Sequence, residues 1–283
     1  MVLGDPPPLT VELKPGLVIE GYRLVARLGE GGMAAVWQAE DVDGQNYAPK
    51  FLSLDQAGPD GEQHFRQEVD TLKRLYARAQ CPYLVGPVER FVSTEFRLMF
   101  MRMPVLDGTL GDFTKVRRDG GEPPSEAEIL RWAEQALQAL IVIHADNTVH
   151  RDVKPSNLLM RGQDVVLADL GIVRVAGGMF TKTQDRMGSE PYKSPEQARS
   201  PKEVTGKSDV FGLAMTLHEV FAGQLGLIAG KGVDDALGQL LRVMGRLIRT
   251  SGSMRPRHWR GCGGCALIRL GRRCRCRGKP LRP

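Results

Sequence analysis

The pattern of apolar and polar positions divides the chain of 283 residues into a strand-rich first part and a helix-rich second part. It predicts strands near 21–30, 34–41, 46–53, 84–93 and 96–102. A helix from about 62 to 79 interrupts them, because Phe65, Glu68, Val69, Leu72 and Leu75 recur at helical spacing. Glu68 falls inside that apolar stripe, where a carboxylate is costly unless paired. Further along, a short helix is predicted near 109–118. Ser125 and Glu128 form a capping box for a longer helix with the stripe Ile129, Ala133, Ala136, Leu137, Leu140, Ile141 and His144. His144 reads as a satisfied core or helix-end histidine. Leu158–Met160 and Val165–Leu167 read as short strands around the turn at Arg161-Gly162-Gln163-Asp164. An apolar helix opens at Ser208 and runs to Gly223, with Asp209 as an N-terminal cap or first-turn charge. No internal repeat is present.

Composition changes this picture little. The chain can bury a sizeable core and suits one large domain or two lobes. The net charge of +6 misleads, because residues 255–283 hold ten Lys or Arg and no acid, leaving 29 basic against 33 acidic residues elsewhere. Residues 1–15, with Pro6-Pro7-Pro8 and Pro15, read as a disordered leader. Asp5 and the prolines occupy the place of a signal-peptide apolar core, and His218, Glu219 and Gln224 break the most apolar stretch. A soluble, cytoplasmic protein without a membrane contact is the expectation.

The chemistry begins at His150-Arg151-Asp152-Val153-Lys154-Pro155-Ser156-Asn157, with Asp169-Leu170-Gly171 closing the apolar run Val165–Ala168. Asp152 can orient a hydroxyl and accept its proton, and Lys154 can neutralise a moving phosphoryl group. Asn157 and Asp169 can hold magnesium against nucleotide phosphates. Upstream, apolar residues flank the glycines of Leu28-Gly29-Glu30-Gly31-Gly32-Met33-Ala34-Ala35-Val36, which suits a strand-turn-strand closing over phosphates. In the extended segment Tyr47-Ala48-Pro49-Lys50, Ala48 and Lys50 share a face, so a small residue can meet a base while the lysine reaches phosphates.

Together these motifs resemble the catalytic core of protein kinases, over roughly residues 21–260. Gly31-Gly32-Met33 and Ser194-Pro195-Glu196-Gln197 are similar to the bacterial, eukaryotic-like (Hanks-type) serine/threonine branch, and Lys154 fits serine/threonine specificity. The resemblance implies an α+β, bilobal fold: a small β-rich N-lobe over 21–103 and a larger α-helical C-lobe over 104–260. It implies ATP and Mg2+ as cofactors, with nucleotide contacts from Leu28, Gly29, Glu30, Gly31, Gly32, Val36, Ala48, Lys50, Glu68, Met103, Asn157, Leu159 and Asp169. Lys50 and Glu68 would form an ion pair. Asp152 and Lys154 would be catalytic, with Ser189 steadying the phosphoryl end, and Asp209 would tie down the catalytic loop. The partners implied are protein substrates, with self-association for phosphorylation in trans. Thr181 and Thr183 are the implied autophosphorylation sites in signal transduction, and Arg151 the grip for the new phosphate; a buried arginine paired to backbone is the other reading of Arg151.

Departures bear on activity. Ala34 replaces a loop glycine, Leu170 a phenylalanine, and Pro49 interrupts a strand. The C-lobe looks shortened, with 31 residues between Gly223 and Arg255, the latter implied to pair with Glu196. The tail 261–283 carries Cys262, Cys265, Cys274 and Cys276 among Arg and Gly. A zinc site, a nucleic-acid contact, and a low-complexity end or altered reading frame are its three readings. The expected function is ATP-dependent phosphorylation of protein serine or threonine. The alternative is a pseudokinase, impaired by Pro49 and the short C-lobe, that serves as a binding module.

Overall fold

The computed structural model describes residues 11–31, 34–170, 190–199 and 204–223. The first lobe is an antiparallel sheet of β1 (Val18–Ile19), β2 (Tyr22–Gly31), β3 (Ala34–Glu40), β4 (Asn46–Tyr47), β5 (Lys50–Ser53), β6 (Glu89–Ser93) and β7 (Leu98–Arg102). Their order is β1-β2-β3-β5-β7-β6, with β4 paired to β3. Alternation buries both faces of this sheet. Phe51 and Phe100 join Tyr22, Leu24 and Trp37 in an outer cluster, while Leu52, Met99 and Met101 face the main core. Helix α1 (Leu54–Ala79) lays Phe65, Val69, Leu72 and Leu75 into that core. The same core continues into the second lobe through Trp132, Ala136, Leu140 and Leu213.

The second lobe contains α2 (Leu110–Asp119), α3 (Glu126–Ala145), the hairpin β8 (Leu158–Arg161) and β9 (Asp164–Leu167), the short helix α4 (Pro195–Arg199) and α5 (Gly206–Ala222). The capping box at Ser125 and Glu128 is present. Burial opposes the Glu128 charge, but the Ser125 backbone and Arg117 outweigh it and hold the carboxyl down at about 2. Ile141 departs from the predicted stripe: it is 43% exposed, because Trp132, Ala139 and Ile143 define the buried face instead. Among the described residues no helix is long and apolar enough to cross a membrane.

Other boundaries moved for local reasons. The helix predicted from 62 begins at Leu54, capped by Ser53, and kinks at Gly58, whose φ of 62° precedes Pro59. Residues 84–88 are not strand. Val85 donates to the Leu167 carbonyl at 2.9 Å, so this segment is tied to β9.

The predicted strand 46–53 is broken at Ala48 and Pro49, since proline has no N–H for the ladder. The gap is otherwise closed: Trp37 donates to the Pro49 carbonyl at 3.0 Å, and Ala48 donates to the Met103 carbonyl at 2.8 Å. Pro49→Val is expected to add a donor facing β3 and raise stability by about 0.5–1.5 kcal/mol. Denaturant midpoints would measure this; an unchanged or lower midpoint would mean that the ring's rigidity is worth more than the bond.

Candidate active site

The first half of the site is assembled by β5, α1 and the turn after β9. Lys50 Nζ lies 3.0 Å from Glu68 Oε1, 3.2 Å from Glu68 Oε2 and 2.9 Å from Asp169 Oδ1. Glu68 is fully buried, so the partner demanded by its place in the stripe is found. Burial disfavours the Lys50 charge, but Asp169 and Glu68 outweigh it and hold the ammonium above its ordinary pKa. Burial pushes the Glu68 carboxyl up, against the pull of Lys50. For Asp169 burial is outweighed by Lys50, which holds the carboxyl below its ordinary value. The Asp169 side chain is 41% exposed, leaving an ionised oxygen open to the cleft. Its φ of 56° is in the left-handed region, a local strain that the surrounding contacts must maintain.

The second half is the loop 150–157. Asp152 Oδ2 is 2.9 Å from Lys154 Nζ and accepts from Asn157 Nδ2 at 2.9 Å. Asn157 Nδ2 also donates to the Asp152 carbonyl at 2.7 Å, which locks the loop around the carboxylate. His150 is buried, with Nε2 2.9 Å from the Ala168 carbonyl and Nδ1 3.3 Å from the Asp152 nitrogen. The second contact is an N–H donated to the ring, so Nδ1 is the acceptor and Nε2 carries the proton.

Asp209, in the first turn of α5, anchors this loop. Its Oδ2 accepts from the His150 N–H at 2.8 Å and its Oδ1 from the Arg151 N–H at 2.7 Å. His144, in the last turn of α3, places Nε2 2.7 Å from Oδ2. The cap of α5 is Thr205, so Asp209 is the first-turn charge. Two glycines let α5 come close: a Cβ on Gly206 would meet the His144 ring at 2.8 Å, and one on Gly212 the Val153 carbonyl at 2.8 Å. Asp209→Ala is expected to lower stability by about 2–5 kcal/mol, since two loop N–H donors, one buried and one half-buried, lose their acceptor. A denaturant midpoint close to that of the parent chain would show that water replaces the carboxylate.

The remaining predicted residues divide. Ala48 is buried in the main core, and Val36 and Leu159 pack against it. Leu28 is half exposed on β2, and Gly29 pairs with Val36 across the β2–β3 ladder. Glu30 and Gly31 pair in backbone with Ala35 and Ala34. The Met103 carbonyl accepts from the Ala48 N–H at 2.8 Å. Arg151 has a φ of 71°; burial pulls its pKa down, with Asp209 opposing. Gly32, Thr181, Thr183, Ser189, Arg255 and the tail cysteines lie outside the described residues. Glu196 accepts from Ser208 Oγ at 2.7 Å. Sequence reasoning missed Gln197, whose Nε2 donates to the Arg151 carbonyl at 2.7 Å, and nothing local marked it.

The family model for the protein kinase domain matches residues 22–257. The serine/threonine-protein kinase PknA of Corynebacterium glutamicum is 32% identical over 238 residues, covering 79% of this chain and 48% of that protein. PknB of Mycobacterium leprae is 33% identical over 229 residues, covering 78% of this chain and 36% of that protein. PrkC of Bacillus subtilis is 32% identical over 225 residues, covering 77% and 33% respectively. The chain thus spans less than half the length of these relatives. A mutant of the Mycobacterium tuberculosis PknI kinase domain has a similar fold, with a TM-score of 0.61 at 24% identity over 84% of this chain and 89% of that one.

Proposed function

We propose that this chain, which belongs to the protein kinase family, transfers the γ-phosphoryl group of ATP to serine or threonine hydroxyls of protein substrates. The observation that carries the reading is the cluster of Lys50, Glu68 and Asp169 within 3.2 Å, facing an Asp152 held by Lys154 and Asn157. Lys50 would bind the nucleotide phosphates, and Asp152 would orient the hydroxyl and accept its proton. Lys154 would balance charge on the phosphoryl oxygens. Catalysis of this kind rests on positioning and electrostatics, which suits groups held by their own hydrogen bonds.

The donor set fits magnesium held jointly with a nucleotide. Asn157 commits its amide nitrogen to Asp152, leaving its carbonyl oxygen, and Asp169 offers a partly exposed carboxylate. Hard oxygen ligands in small number match an ion that takes its other ligands from phosphates and water. Bound there, magnesium would neutralise phosphate charge. The binding-module reading loses its main support, since the Lys50–Glu68 pair closes despite Pro49. The test is phosphate incorporation into protein from labelled ATP, with and without magnesium. Nucleotide binding without transfer under any condition would leave the binding module.

A further inference from the structure

Arg102, the last residue of β7, carries its charge on the aromatic outer face of the first lobe's sheet. Its neighbours Met101 and Met103 are buried in the main core, and alternation turns the arginine to the opposite side. There Tyr22, Tyr47 and Phe91, from β2, β4 and β6, form a cup in which Tyr47 and Phe91 meet the Tyr22 ring edge-on, at 5.9 and 5.6 Å. The guanidinium carbon lies 4.5 Å from the centre of the Tyr47 ring, 5.7 Å from Phe91 and 6.0 Å from Tyr22. One arm of the fork donates to the Tyr22 hydroxyl at 2.9 Å, and the other reaches Glu89 at 2.7 Å.

A cation among apolar side chains is costly, and an aliphatic residue would fill the same place without that cost. What the arginine adds is direction, because its planar fork is satisfied at both ends and stacked on rings between them. Directly after Arg102, the Met103 carbonyl accepts from the Ala48 N–H at 2.8 Å, and Pro104 bridges in backbone to Tyr47. Tyr47 is also the ring nearest the guanidinium. Side chain and backbone thus fasten the linker 102–104 to one short segment, Tyr47-Ala48. That segment needs fastening, because the strand it belongs to is interrupted at Ala48 and Pro49. Ala48 and Met103, both buried in the main core, are the two residues expected to flank the nucleotide base.

We propose that Arg102 is a positioning residue for that base: locked between Tyr22, Tyr47 and Phe91, it sets the spacing of Ala48 and the linker from the opposite face of the sheet. The inference rests on the nucleotide-binding part of the reading above. Its consequence is a division of labour, in which loss of Arg102 weakens recognition of the base and spares the phosphates, which belong to Lys50.

Arg102→Met keeps an unbranched side chain in the cup and removes the fork. Calorimetry on the full chain compares three probes: adenosine, Mg·ATP, and magnesium tripolyphosphate, which lacks the base. Adenosine and Mg·ATP are expected to bind about three- to tenfold more weakly than to the parent chain, with tripolyphosphate unchanged. In turnover, KM for ATP should rise by the same factor while kcat at saturating ATP holds, the signature of lost uniform binding. Tyr47→Leu, which removes the nearest ring from the other wall, should give the same pattern, and the double variant should lose no more than the single ones. Tripolyphosphate weakened as much as adenosine, or a lower denaturant midpoint with adenosine binding unchanged in both variants, would overturn the proposal and leave Arg102 a role in stability alone. A base-specific loss in a chain that transfers no phosphate would support the proposal while removing the phosphoryl-transfer reading; transfer with no base-specific loss would do the reverse.

Discussion

Asp152→Asn is expected to lower turnover on a protein hydroxyl by about 10²–10⁴-fold, the range for loss of a positioned proton acceptor. The substitution keeps shape and size, and the loop around it is held independently by Asp209 and by the Asn157 bond to the residue 152 carbonyl. What disappears is the carboxylate charge, which Lys154 and Asn157 now hold in one place. The loss should therefore appear in kcat, with ATP affinity nearly unchanged, because Asp152 serves the hydroxyl and not the nucleotide. Single-turnover incorporation alongside calorimetric ATP binding separates these quantities. A fall of less than about tenfold would assign proton acceptance to another group.

The chemistry of the site was readable where a residue broke a local rule. Glu68 on a buried stripe required a cation, and Lys50 supplies it. Pro49 in a strand required a break, and the ladder is interrupted there. Gly212 inside a helix was a third such signal that was not used: glycine is a poor helix former, and a Cβ there would come within 2.8 Å of the Val153 carbonyl. Other features obeyed local rules and so stayed hidden. Asp209 looks locally like an ordinary first-turn charge, and only the family resemblance, not any local pattern, anticipated its carboxylate under the loop 58 and 59 residues away. Residues 84–88 are apolar enough for a strand, but Gly86-Pro87 breaks the segment locally, a signal that was not used, and Val85 donates to Leu167 of β9 instead. The left-handed turn at Asp169, which returns its carboxylate to Lys50, is likewise a product of the assembled site.

Lys50→Met should abolish measurable transfer and also change how stability depends on pH. The substitution removes the cation from a fully buried Glu68 and from Asp169. Breaking a buried pair by deleting one partner costs roughly 3–5 kcal/mol, because the other charge is left uncompensated. Burial already pushes the Glu68 carboxyl up, and Lys50 is what pulls it down. Without Lys50 its pKa rises further, and the folded variant favours the protonated acid. An acid whose folded pKa lies above its unfolded value binds more protons when folded, so stability falls as pH rises from the unfolded value toward the folded one. The variant should thus melt closest to the parent chain in mild acid and fall progressively below it toward neutral and alkaline pH. Adding Glu68→Gln removes the titrating group, so the double variant should recover stability at pH 8 and lose that dependence while staying inactive. Melting curves across the pH range, on both variants and the parent, test this. A parallel offset at every pH, or no recovery in the double variant, would mean that Glu68 finds water or another partner once Lys50 is gone.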